Sequence, residues 1–233
     1  MTGSFSTWTD RAKLIYICKV RCEATEYYLR TLTEAQAVAC ELHVQSLAPT
    51  SSIRIAHKGQ TDIGKQQRDG LIGKMVEVEG VNLLREINRR YLHDSLQITE
   101  PDFKVYLSLA KSFGEDLSVT TSAGLRLPIH SKATSVETAR IVTVPSWVIE
   151  NADYRILAGN PDEYFMLGIV QGRRVALMGF PSCGLLGTKI ELRPLDKNLA
   201  TKQCIYYSDI RKLTKMERWG LLYRIGDRYR DVC

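Results

Sequence analysis

No apolar run in the 233 residues approaches the ~20 that a bilayer-crossing helix needs. Met1 to Asp10 is polar, and the short stretch Leu14-Ile15-Tyr16-Ile17-Cys18 is flanked by Arg11, Lys13 and Lys19, so no secretory leader is read there. The expectation is a cytoplasmic protein with no membrane partner. Histidine is scarce: the four lie at 43, 57, 93 and 130. All precede Cys183, whose setting Pro181-Ser182-Cys183-Gly184 carries no known nucleophile signature, which argues against a cysteine hydrolase. The glycines from Gly179 to Gly187 have neither Walker lysine spacing nor a GxGxxG pattern, so they read as a loop after a strand. Of the six cysteines, Cys18 and Cys22 have i, i+4 spacing, but no second close pair completes a zinc site and His43 stands alone. Buried thiols are the expected role. No internal repeat or low-complexity run is present.

What is there is ordinary core material with a positive charge. Hydrophobic residues make up 44% and charged residues 25%, as in a globular α/β chain. Net charge is +6 and the isoelectric point about 9.0. The basic residues recur along the chain and do not form a tail, which favours contact with phosphate backbones.

Residues 1–48 read as an N-terminal helical segment of two helices. The first is capped by Thr9 or Asp10, runs toward Arg30 and includes Tyr28 and Leu29. Thr33 with Gln36 has capping-box spacing for the second, which stops near Leu47 before Pro49. The polar stretch 49–69, with a short possible strand at 53–56, is the candidate boundary, so residues 49–233 form the second unit, a nuclease-like α/β domain. A long helix is expected from about Gln66 to Leu92. Leu71, Met75, Val78, Leu83, Ile87 and Tyr91 form its apolar stripe, and Arg85, Arg89 and Arg90 lie off it. Strands are expected over 117–121, 125–133, 141–144, 154–157, 164–170 and 174–179, and a final helix over 208–222 with Ser208 or Asp209 as cap.

The chemistry concentrates between residues 114 and 132. Gly114-Glu115-Asp116 opens one strand, Ser122-Ala123-Gly124 is turn chemistry, and Leu125-Arg126-Leu127-Pro128-Ile129-His130-Ser131-Lys132 alternates. Residues two apart on a strand share a face, so His130 and Lys132 point together with Arg126. A hairpin at Gly124 brings Asp116 near both. Carboxylates that hold divalent cations and an amine that offsets charge on the transition state are what phosphodiester cleavage requires.

Here the chain resembles the PD-(D/E)XK nuclease superfamily, which includes many restriction endonucleases. Glu115-Asp116 matches the Asp that opens a strand, and His130-Ser131-Lys132 sits where acid-X-Lys belongs. Ile72-Gly73-Lys74 with Glu77 and Glu79 looks like the preceding helix that often lends a further acid, and the similarity extends over roughly residues 65–180. The resemblance implies a mixed β-sheet core flanked by helices, restriction-endonuclease-like, with the N-terminal helical pair packed on it. It also implies a Mg²⁺- or Mn²⁺-dependent endonuclease on double-stranded DNA, working as a homodimer because symmetric cutting of two strands needs two sites. Asp116, His130, Lys132 and Glu77 would be catalytic, and Asp116, Glu77, Glu79 and His130 would hold metal, with Glu79 as substitute for Glu77.

The departure from the pattern is His130, an imidazole in place of the middle acid and a poor ligand for Mg²⁺. Either Glu77 or Glu79 supplies the missing carboxylate, or the domain is a non-catalytic DNA-binding or accessory protein. A structural protein with incidental basic charge is the third class. If His130 has merely lost a ligand, His130→Glu is expected to raise Mg²⁺-dependent nicking; if the site is rebuilt around the imidazole, the same change lowers it.

Overall fold

The computed structural model describes residues 27–46, 62–103, 115–135, 146–149, 157, 162–194 and 203–230, the side chains of 227–230 excepted. In chain order the elements are β1 (Tyr28–Thr31), α1 (Glu34–Ser46), α2 (Ile63–Tyr91), β2 (Gln97–Ile98), β3 (Leu117–Thr120), β4 (Arg126–Ser135), β5 (Ser146–Ile149), β6 (Tyr164–Gln171), β7 (Arg174–Gly179), α3 (Cys183–Lys189), β8 (Arg193–Pro194), β9 (Gln203–Tyr206), α4 (Tyr207–Ile210), α5 (Lys215–Arg218) and α6 (Gly220–Arg230).

Six strands make one mixed sheet in the order β1-β7-β6-β4-β3-β2. Every pair is antiparallel except β4 with β6, which run parallel with Ile129 beside Tyr164 and Lys132 beside Leu167. Three short strands form a second sheet, β5-β9-β8. The period-2 pattern of β4 fixes its two faces. Leu127 and Ile129 are fully buried against α2 in a core that also holds Val76, Leu84, Met166 and Leu177. The opposite face of β6 carries Phe165 and Leu167, which pack with Trp147, Ile205 and Leu186 in a second core. The indole Nε1 of Trp147 donates to the Gly168 carbonyl at 2.9 Å, which ties β5 to the main sheet.

Helix α2 starts at Asp62, whose carboxylate accepts from the Lys65 N–H at 2.9 Å, an ordinary N-cap. It lies close on β6 because glycines face each other's neighbours. A side chain on Gly168 would strike Val76, and one on Gly80 would strike Met166. The expected apolar stripe is inside, and Arg85, Arg89 and Arg90 are exposed.

Four local readings are corrected. Tyr28 and Leu29 are not the end of a helix: they pair with Leu177 and Ala176 of β7, and Tyr28 is buried in the sheet core. The rest of that expected helix, with Cys18 and Cys22, and the strands expected at 53–56 and 141–144, lie outside the described residues; so do all but Leu157 of 154–157, and Leu157 itself is helical. The final helix is three helices. Thr214 and Glu217 form a capping box that starts α5 afresh, and Tyr206, not Ser208 or Asp209, occupies the cap position of α4. Cys183 begins helix α3 and is not in a loop. The capping box of α1 stands as read: the Gln36 N–H donates to Thr33 Oγ1 at 3.3 Å, and the Thr33 N–H donates to Gln36 Oε1 at 3.1 Å.

Candidate active site

The hairpin β3–β4 turns through Gly124, whose φ of +77° is open to glycine without strain. Leu117 pairs with Ile129, and the Asp116 N–H continues the ladder by donating to the Ile129 carbonyl at 3.1 Å. Asp116 therefore stands across from His130, at the point where β3 begins. Its side chain is exposed, and Oδ2 accepts the Ser131 N–H at 2.6 Å. The short bond to a backbone donor fixes the carboxylate at the mouth of the hairpin.

Glu77 comes from α2 and is buried. Burial pushes its carboxyl up to about 7, the Lys74 ammonium opposes that rise, and the negative charge of Asp116 adds to it, with a smaller push from Asp102. The influence of Asp116 means that the helix and the hairpin bring two carboxylates into each other's field. Lys74 ties Glu77 to the segment after β2: its Nζ donates to Glu77 Oε2 and to the Asp102 carbonyl, the latter at 2.8 Å, and sits 5.6 Å from the centre of the Phe103 ring. Ser131, whose N–H meets Asp116, has a buried Oγ with no hydrogen-bond partner among the described residues.

His130 and Lys132 share a face of β4, as the alternation requires, and it is the face turned away from α2. Both lean on Phe165: the His130 ring meets it edge-on with centroids 6.0 Å apart, and Lys132 Nζ lies 5.8 Å from its centre. His130 Nε2 faces Glu163 Oε2 at 3.4 Å, an ion pair when the imidazole is protonated. The imidazole is thus turned toward a carboxylate that the sequence reading did not consider.

Glu79 is fully buried but points along another flank of α2. Its Oε2 accepts from Asn82 Nδ2 at 3.1 Å, and Arg30 Nε stands 3.8 Å from Oε1. Burial raises its carboxyl to about 7, with the Asn82 hydrogen bond and the Arg30 charge opposing the rise and Glu86 adding to it. Asp116 plays no part in that environment, so of the two glutamates it is Glu77 that shares a neighbourhood with Asp116. Both glutamates are buried, unlike most on a helix, because β1 and the 99–103 segment cover the flanks of α2.

Lys74, Ser131, Asp102 and Glu163 were not read as site residues. Lys74 had a legible signal, its i, i+3 spacing to Glu77. The others become neighbours only through the sheet register. Among the described residues no three His, Cys, Asp or Glu side chains gather as around a metal ion. Two carboxylates are nevertheless a sufficient protein share for Mg²⁺, which keeps several waters and takes further oxygens from substrate phosphates. Glu77 and Asp116 are of the oxygen-donor chemistry that a hard divalent cation takes, while the imidazole of His130, turned to Glu163, is not. No family model matches this chain, and neither a curated protein nor a solved structure matches it.

Proposed function

We propose that the protein is a metal-dependent endonuclease that hydrolyses phosphodiester bonds of double-stranded DNA, with Glu77 and Asp116 as the cation-holding pair. The arrangement that supports this reading is an exposed aspartate opening β3, its carboxylate held by the Ser131 N–H of the His130-Ser131-Lys132 strand, with the buried Glu77 on the helix packed against that strand. The resemblance to the PD-(D/E)XK pattern supports it in the order of parts: helix acid, Asp at a strand start, hairpin, then X-Lys. Bound Mg²⁺ or Mn²⁺ would supply charge stabilisation for the attacking and leaving oxygens. The chain's own residues do the rest. The Ser131 N–H orients Asp116. Lys74 keeps Glu77 near the charged form against its burial. Lys132, on the face of β4 turned away from α2, would offer an ammonium to the phosphate from that side. A homodimer would present two such sites to the two strands.

A second reading is favoured by His130. Its contact with Glu163 leaves the position of the middle acid without a carboxylate toward Asp116, as in a domain that binds DNA and does not cut. A supercoiled-plasmid nicking assay with EDTA, Mg²⁺ and Mn²⁺ decides between them. The nuclease reading expects metal-dependent nicking that Asp116→Asn and Lys132→Ala each abolish while DNA binding persists. Full activity in Asp116→Asn overturns the site, and salt-sensitive binding without nicking selects the second reading.

A further inference from the structure

A groove of about 440 Å³ lies away from Glu77 and Asp116, along the outer side of the C-terminal half of α2. Its lining includes four guanidiniums, Arg30, Arg85, Arg89 and Arg90, against two carboxylates, Glu86 and Asp94. The carboxylates do not neutralise it evenly. Glu86 is mostly buried and is spent on holding the groove's shape: it accepts from Arg30, from Arg90 at 3.0 Å and from the Tyr28 hydroxyl at 3.3 Å. Arg30 and Arg90 are thereby fixed in place before any ligand arrives, which lowers the ordering cost of binding.

Arg85 and Arg89 are differently placed. They are one helical turn apart on α2, so their stems neighbour each other. Arg89 is exposed and has no partner among the described residues. Arg85 reaches only Glu100, in a pair where both side chains are more than half exposed; such a pair is worth little and is readily exchanged for another anion. Asp94, which lines the groove, belongs to an unusual stretch of backbone. After the helix, His93 and Asp94 both take positive φ, 48° and 58°, and the Asp94 N–H bonds back to the Asn88 carbonyl at 3.2 Å. Two successive non-glycine residues in that region are costly and cluster where backbone shape serves a site.

We infer that this arginine groove binds phosphate oxyanions of a nucleic-acid backbone, with Arg85 and Arg89 as the contacting pair and Arg30 and Arg90 as the preset wall. Guanidiniums in a fork geometry match phosphate oxygens bidentately. Arg89 follows Glu77 on the same helix by about 18 Å, so a duplex engaged at the hairpin has further phosphates for a second, non-catalytic contact. The choice of nucleic acid rests on the function proposed above; the anion site itself does not.

The test is a fluorescence-anisotropy titration of a duplex oligonucleotide across a range of KCl, with EDTA present so that nothing is cut. The variants are Arg85→Gln with Arg89→Gln, and the control is Arg211→Gln with Lys212→Gln, the same charge change elsewhere on the surface. The groove variant is expected to bind about tenfold more weakly at moderate salt and to flatten the slope of log affinity against log salt by about 2, one for each lost contact. The control is expected to keep the native slope. Should the double variant unfold, Arg89→Gln alone removes a side chain without a partner and is expected to flatten the slope by about 1. Native affinity and slope in the groove variant overturn the inference. So does calorimetric binding of inorganic phosphate through Arg89 with no binding of duplex, which assigns the groove to a small phosphorylated ligand. An enzyme that cuts DNA with Arg85 and Arg89 dispensable loses this inference and keeps the nuclease; one that binds through them and never cuts loses the nuclease and keeps this inference.

Discussion

Replacing Glu77 by Gln is expected to change how stability depends on pH, and the structure gives the size of the change. The Glu77 carboxyl is raised from 4.5 to about 7 by burial, with Asp116 adding to the rise. A carboxyl whose folded value lies above its unfolded one stabilises the fold when protonated. That contribution is fully present below pH ~4.5 and is lost as pH rises through ~7. At about 1.36 kcal/mol per pH unit the whole loss is about 3 kcal/mol, of which about 2–3 kcal/mol falls between pH 5 and pH 9. Glu79, raised to about 7 as well, loses a similar amount over the same window. Urea unfolding of the native protein from pH 5 to pH 9 should therefore show stability falling by several kcal/mol. In Glu77→Gln the fall should be about half as large, whatever the absolute stability, since the slope reads the titration and not the lost contact with Lys74. A divalent cation favours ionised Glu77. Added Mg²⁺ should thus raise stability more at pH 8 than at pH 5, and this difference should vanish in Glu77→Gln. Identical pH slopes in the two proteins would refute the assigned environment of Glu77, and a Mg²⁺ effect that survives the substitution would refute its role in holding the cation.

Gly168→Ala drives a methyl into Val76 at the α2–β6 contact and is expected to cost about 1–3 kcal/mol, read as a shift in the urea midpoint at constant m. His130→Glu sets a second carboxylate against Glu163 and should lower Tm more than His130→Gln, which sets no charge there; equal Tm in the two variants would mean that the His130–Glu163 contact is absent in solution. Thr214→Ala removes the cap of α5 and should cost about 1 kcal/mol with no effect on DNA binding.

Legibility followed the range of the signal. The long helix, the β3–β4 hairpin and the two later strands were readable because 3.6-residue and two-residue periodicities are local, and Gly124 marks its own turn. The shared face of His130 and Lys132 followed from alternation alone. What alternation could not say is which face meets α2; that depends on Gly168 and Gly80 admitting Val76 and Met166, a long-range fit. For the same reason Glu79 stood in the sequence as a substitute for Glu77. Two residues apart on a helix they point to different flanks, one toward Asp116 and Lys74, the other toward Arg30 and Asn82. Tyr28 and Leu29 read as helix because their partners in β7 lie far along the chain.

That distance has a consequence for synthesis. Tyr28 pairs with Leu177, so β1 is made early and its ladder partner late. At about 5–20 residues per second the strand waits roughly 7–30 s at the ribosome before β7 exists. Until then Tyr28 and Leu32, both nearly fully buried in the finished fold, have no sheet to enter. Nascent chains of this protein should therefore be most prone to chaperone capture in that interval, and release should coincide with emergence of the β6–β7 hairpin.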